Sequence, residues 1–184
     1  YQFRSIVKTA ARALPGPLRS TAVEDVMQDQ MAAQFPLAAL IVAEFLETVG
    51  VLVAKPRPVV MPDDPRLGEF RDLFAGRMGW IEVRPNEGED DSPGFAGSSK
   101  ITGSEALYER LREEPENYVD QERLLRARLI DFLVGDWDRH SDQWRWAAFE
   151  EGERTRWEPI PRDRDWAFTR IDGLLPTITA IYFP

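Results

Sequence analysis

Leu133-Val-Gly-Asp-Trp-Asp-Arg-His-Ser-Asp-Gln-Trp-Arg-Trp146 decides how the chain is read. It leaves a helical pattern at Gly135, crosses a polar turn, and re-enters an aromatic run at Trp144. Asp136, Asp138, Arg139, His140 and Asp142 fall within seven residues. Trp137, Trp144 and Trp146 stand among them, and each tryptophan needs apolar cover. The turn is therefore expected to be anchored, as a working loop must be.

Downstream, Ile160-Pro-Arg-Asp-Arg-Asp-Trp-Ala-Phe168 answers it. The segment from Trp157 reads as a strand that ends in Asp163 and Asp165. On a strand, period two would send Arg162 and Arg164 to one face and the acids to the other. Two aligned carboxylates repel unless a cation lies between them, so a divalent metal is their natural partner. The plainer alternative is an Asp–Arg surface ladder of little energetic value.

Working back from the turn, Leu125, Leu129, Phe132 and Leu133 lie on one face of a helix that Asn117 is placed to cap and Gly135 ends. Glu122 and Arg126 form an exposed i,i+4 pair on it. Ser104 to Glu113 reads as a shorter helix. Pro85 to Lys100 is acidic and rich in Gly, Ser and Pro, the composition of a mobile linker or long loop. Its Gly94-Phe-Ala-Gly-Ser-Ser-Lys100 lacks the spacing of a phosphate loop. Before it come a strand at Met78 to Val83, a short helix at Leu67 to Phe74 and a proline-punctuated edge strand within Val51 to Met61. Leu37 to Val49 reads as a buried helix stopped by Gly50, and Thr21 to Gln34 as another. Tyr1 to Lys8 alternates as a strand that Lys8 closes. The expected class is α+β in three stretches: residues 1–84, a linker at 85–103, and residues 104–184.

Composition narrows the functions. With 184 residues, 43% of them hydrophobic, the chain can bury one core. A net charge of −9 argues against sequence-independent nucleic-acid binding, which needs a basic surface. Cysteine is absent, which removes thiol nucleophiles and Cys-ligated zinc and suits cytoplasmic and extracytoplasmic compartments equally. A single histidine makes a histidine-based hydrolase improbable. No apolar run has the roughly 18 residues that span a bilayer.

Gly135-Asp-Trp-Asp-Arg-His140, followed by Asp163-Arg-Asp-Trp-Ala-Phe168, resembles the atypical kinase-like group. That group includes HipA-type kinases, CotH-type spore-coat kinases, the Golgi casein kinase and, more distantly, phosphoinositide kinases. Its catalytic loop runs Asp-Arg-His, reversed from the His-Arg-Asp of ordinary protein kinases. The resemblance covers roughly Val119 to Phe168. It implies an incomplete protein-kinase-like two-lobed fold, a small β-rich lobe joined to a helical one, cut from a larger bacterial-type protein. It implies ATP with Mg²⁺ or Mn²⁺ as cofactors, a protein or small-molecule acceptor, and other domains of the parent chain as partners. The glycine-rich hairpin would precede Tyr1, and further helices would follow Pro184.

Carried onto this sequence, the resemblance makes Asp138 the catalytic aspartate that orients the acceptor hydroxyl, with Arg139 and His140 bracing the loop. Asp163 becomes the principal metal ligand, with Asp165 as its alternative, and Phe168 matches the phenylalanine of CotH-type members. Gln143 stands where the group carries Asn, a departure that leaves the second metal position to its longer amide or to Asp142. Lys8 resembles the strand lysine that grips the nucleotide's phosphates, with Glu24, Asp25 or Asp29 as partner. Glu82 would lead into the adenine-binding hinge. Two alternatives stand beside this one. The fold could persist without the reaction, as in a pseudokinase or interaction module, or the same aspartates could serve a metal-dependent hydrolase.

Overall fold

Strand β1 (Gln2–Ser5) begins the chain in the computed structural model, which describes residues 1–6, 24–25, 28, 31–88 and 94–169. Glu24, Asp25, Gln28, Met31 and Ala32 are helical, and the remainder of the helix expected there lies outside the described residues. Helix α1 (Ala38–Thr48) buries Ala38, Val42, Ala43 and Leu46, one face at helical spacing. Gly50, with φ of 73°, turns the chain out of it. Strand β2 (Arg57–Val60) follows, then a 3-10 turn at Pro65–Phe70 capped by the Asp64 carboxylate on Arg66 N. Helix α2 (Arg71–Phe74) leads to β3 (Met78–Glu82).

The first sheet has the order β1-β3-β2, both pairings antiparallel, so β2 is at an edge, as its prolines require. Gly79, in the central strand β3, allows the close approach of β1. A Cβ there would run into the backbone carbonyl of Arg4 and stand 2.6 Å from the Phe3 ring. Gly79→Ala is therefore expected to cost about 1–3 kcal/mol by forcing β1 and β3 apart. Thermal unfolding checks this, and an unchanged midpoint would contradict the close approach.

Strand β4 (Lys100–Gly103) lies inside the stretch read as linker, and it enters helix α3 (Ser104–Glu113) directly. The linker is thus shorter than expected, because Lys100–Gly103 pairs with Ala148–Arg145 in the second sheet. Strand β5 (Asn117–Val119) precedes α4 (Gln121–Leu133), and the hairpin β6 (Trp144–Glu151) and β7 (Arg154–Pro161) completes the order β4-β6-β7-β5. Asp120, not Asn117, caps α4 by accepting from Arg123 N at 2.9 Å. Asn117 is instead buried in β5, its Oδ1 accepting from Trp157 Nε1 at 2.7 Å.

The face of α4 that packs inward also differs from expectation. Ala127, Ile130, Asp131 and Val134 are buried, whereas Leu125, Leu129, Phe132 and Leu133 are exposed, Phe132 by 77%. Small Ala127 lets the helix lie close to the core of Trp144, Trp146 and Trp157. Helical spacing identifies a stripe without saying which stripe faces inward. The Glu122–Arg126 pair forms as expected, at 2.5 Å.

Candidate functional site

The α4–β6 turn is held by a buried charge cluster drawn from three segments. Arg164 Nη1 pairs with Asp131 of α4 and, at 3.0 Å, with Asp136 Oδ2. The Arg139 guanidinium lies 3.7 Å from Asp131 and 3.8 Å from Asp136, its side chain only 1% exposed. It donates to the carbonyls of Arg162 at 2.6 Å, Asp163 at 3.3 Å and Gln143 at 3.1 Å, and stacks 4.8 Å over Trp144. Arg139 is thus a brace with no access to a reacting group. It ties the turn to the end of β7.

Burial pushes the Asp136 carboxyl above its ordinary value, against the opposing pull of Arg164 and Arg139. Burial, reinforced by the neighbouring Arg164 charge, pulls the Arg139 guanidinium down to about 10. The guanidinium still carries its charge at neutral pH.

Above this cluster the turn is more open. Asp138 is about one-third exposed, with its Oδ1 4.0 Å from His140 Nε2. Gln143 Nε2 donates to His140 Nε2 at 3.2 Å, which directs the Gln143 amide nitrogen to the imidazole and leaves its carbonyl oxygen for another partner. Asp142 is exposed on the 3-10 turn Ser141–Gln143. The hydroxyl of Ser104, at the start of α3, donates to Ser141 O at 2.8 Å and accepts from Trp146 Nε1 at 3.1 Å. Two of the three tryptophans anchor the turn as expected. Trp137 does not: it is 62% exposed and leans on Trp166, ring centroids 4.8 Å apart.

The second segment departs from strand geometry after Pro161, so the arginine–aspartate alternation does not define two faces. Arg164 turns into the buried cluster. Asp163 takes φ of 53°, a left-handed conformation that Asp tolerates better than most residues. Its carboxylate reaches across to the first sheet, where Arg4 Nη1 lies 3.3 Å from Oδ1. Arg4 Nε also donates to Glu82 Oε1 at 3.0 Å. One guanidinium therefore sits between the acid at the end of β3 and the acid beyond β7. Phe168 closes the segment, its N–H donating to Val134 O at 2.8 Å.

Arg4 is the cation that sequence reading missed. Lys8 lies outside the described residues, as does Asp29; Glu24 is helical and half-buried, and Asp25 is exposed. The signal available was the strand itself: β1 ends at Ser5, and period two puts Arg4 on the same face as Gln2. Asp131, Asp136 and Arg164 were also unassigned, since nothing local distinguishes a buried acid from a surface one.

A narrow cavity of about 30 Å³ separates the sheets, bordered by Arg4, Glu82, Arg84, Arg162, Asp163 and Asp165. Beside it, a wider cleft of about 960 Å³ runs between the segment after β3 and the β4–β6 edge. Among the described residues, no three acidic or histidine side chains converge closely enough to hold a metal ion. Mg²⁺, however, is commonly held by one or two carboxylates together with substrate phosphates rather than by a protein cage. The carboxylates of Asp163, Asp165 and Asp142 and the side-chain carbonyl of Gln143 are hard oxygens of the kind Mg²⁺ takes, but they do not gather into a metal-holding group among the described residues.

Compared with known proteins, the chain matches no family model and no curated protein sequence.

Proposed function

We propose that this chain is the core of an ATP- and Mg²⁺-dependent phosphotransferase of kinase-like, two-lobed fold. The observation that carries the reading is the Glu82–Arg4–Asp163 bridge, together with Arg139, which ties the turn bearing Asp138 to the backbone of that same Asp163. Glu82 and Asp163, far apart in sequence, thus share a strand-borne cation at the narrow cavity that all three border, an arrangement in keeping with the positioning groups of phosphoryl transfer. The order of long helix, polar turn, hairpin and acidic segment agrees with the resemblance.

In this reading, Asp163 holds the metal with help from Asp165, Asp142 or the Gln143 carbonyl, and the ion neutralises charge on the phosphates when bound. Arg4 lies beside the phosphates in the role first given to Lys8. Asp138, a partly exposed acid of the turn, accepts the proton of the acceptor hydroxyl, with His140 at its flank. Asp131, Asp136 and Arg164 hold the turn from behind.

Two observations favour a second reading, a fold that binds without turnover. Gln143 stands where the group carries Asn, and Arg4 holds its permanent charge against both Glu82 and Asp163. Titration of the chain with ATP, with and without Mg²⁺ or Mn²⁺, tests both. Metal-dependent binding is expected under either reading, and turnover to an acceptor or to water under the first alone. No metal-dependent nucleotide binding would overturn the pair of them.

A further inference from the structure

Arginines border both cavities. Arg84, in the segment after β3, borders both cavities, and Arg145 of β6 borders the wide one. Arg162 lines the narrow cavity beside them. Arg145 pairs with Ile160 across the hairpin, and Arg162 follows just past the end of β7, within reach of the Arg145 charge. Arg162 Nη2 donates to Gln2 Oε1 at 3.4 Å. Burial, Arg145 and Arg4 pull its guanidinium below the ordinary value, with Glu82 and Asp163 opposing. Among the described residues, neither Arg84 nor Arg145 pairs with a carboxylate; Glu87 stands on the same rim but forms no ion pair with them. Gly103 leaves room for this arrangement, since a Cβ there would lie 3.1 Å from Arg145 Nη1.

An acidic protein of net charge −9 would be expected to spend its nearby carboxylates on arginines that border the same pair of cavities. Among the described residues, Glu82 and Asp163 instead pair with Arg4, and Glu87 on the rim pairs with neither Arg84 nor Arg145. Planar guanidinium forks suit phosphate oxygens through paired, charge-assisted hydrogen bonds. Such a cleft is a poor floor for an uncharged ring alone.

We propose that Arg84 and Arg145, on the cleft between the post-β3 segment and the β4–β6 edge, form with Arg162 of the adjoining narrow cavity a metal-independent binding site for a phosphate or polyphosphate group. The site deepens the phosphotransferase reading by giving one of its substrates an anionic anchor apart from the Asp163 metal position. The phosphate has two possible sources, the nucleotide itself or a phosphorylated acceptor.

Inorganic pyrophosphate, titrated calorimetrically into the full chain in EDTA, is the probe. Wild type is expected to bind it, and Arg84→Gln combined with Arg145→Gln to weaken it by about tenfold or more. Arg145→Lys should recover part of the loss, since charge returns without the fork. Arg84 is exposed and, among the described residues, has no carboxylate partner, so Arg84→Gln alone should leave the fold intact and still weaken binding several-fold. Adenosine is expected not to compete. If ATP displaces pyrophosphate one for one, the source is the nucleotide; if both bind together, it is the acceptor. Failure of wild type to bind pyrophosphate, or equal binding by the variants, would overturn the site. Asp163→Asn should leave metal-free pyrophosphate binding in place, so loss of the metal position and loss of this site are read separately.

Discussion

Arg164→Met is expected to destabilise the protein by about 3–5 kcal/mol, the scale on which buried ion pairs fail when one partner is removed. Arg164 is only 5% exposed, and its Nη1 is shared by Asp131 and Asp136. Its removal leaves Asp131 with Arg128 at 2.7 Å but Asp136 with Arg139 alone, 3.8 Å away and already committed to three carbonyls. For a chain of this size the loss corresponds to a fall in Tm of about 6–20 °C.

The deficit should also depend on pH, in a direction that can be derived. Burial already raises the Asp136 carboxyl, and Arg164 is the largest influence opposing that rise. Without it the folded-state value climbs further. A carboxyl raised in the folded state contributes stability that is fully present below its unfolded value, about 3.9, and lost as pH increases through the folded one. The gap between variant and wild type should therefore widen from about pH 4 to pH 7. Denaturant unfolding across that range measures it. A gap that stays constant, or narrows toward neutrality, would mean that Asp136 is not held by Arg164.

Asp163→Asn is expected to lower metal-dependent ATP affinity by on the order of 10²-fold, since even outer-shell substitutions at metal sites cost about 10–100-fold. Asparagine is chosen because it tolerates the left-handed backbone that Asp163 adopts at φ 53°, so the change is one of charge rather than of fold. It also releases Arg4 from one of its two acids. Asp138→Asn should behave differently, with binding kept within about threefold and any turnover falling about 10²–10⁴-fold, the range of general-base assistance. Calorimetry in Mg²⁺ separates the two variants. Equal nucleotide affinity in wild type and Asp163→Asn would end the metal assignment, and equal loss of binding in both would make Asp138 a binding residue.

Within the described residues, the sequence determined the local structure well. Hydrophobic period and punctuation located α1, α3, α4, β3 and the second half of β7, because Pro36, Gly50, Pro115 and Gly135 act on their own neighbours and need no distant partner, whereas β4, β5 and β6 were not read as strands. The polar turn and its tryptophan anchors were legible for the same reason.

Only the tertiary structure decided which face of α4 points inward, which arginine lies between Glu82 and Asp163, and which acids are buried. Leu125 and Ile130 are equally apolar in the sequence, and Asp131, Asp136 and Asp138 are chemically identical. Their roles diverge because β7 ends at Pro161 and turns Arg164 inward, while β1 sets Arg4 beside Glu82. A side chain's charge is written in the sequence, but its partner depends on long-range packing: Arg164 and Asp131 are 33 positions apart, Arg4 and Glu82 are 78.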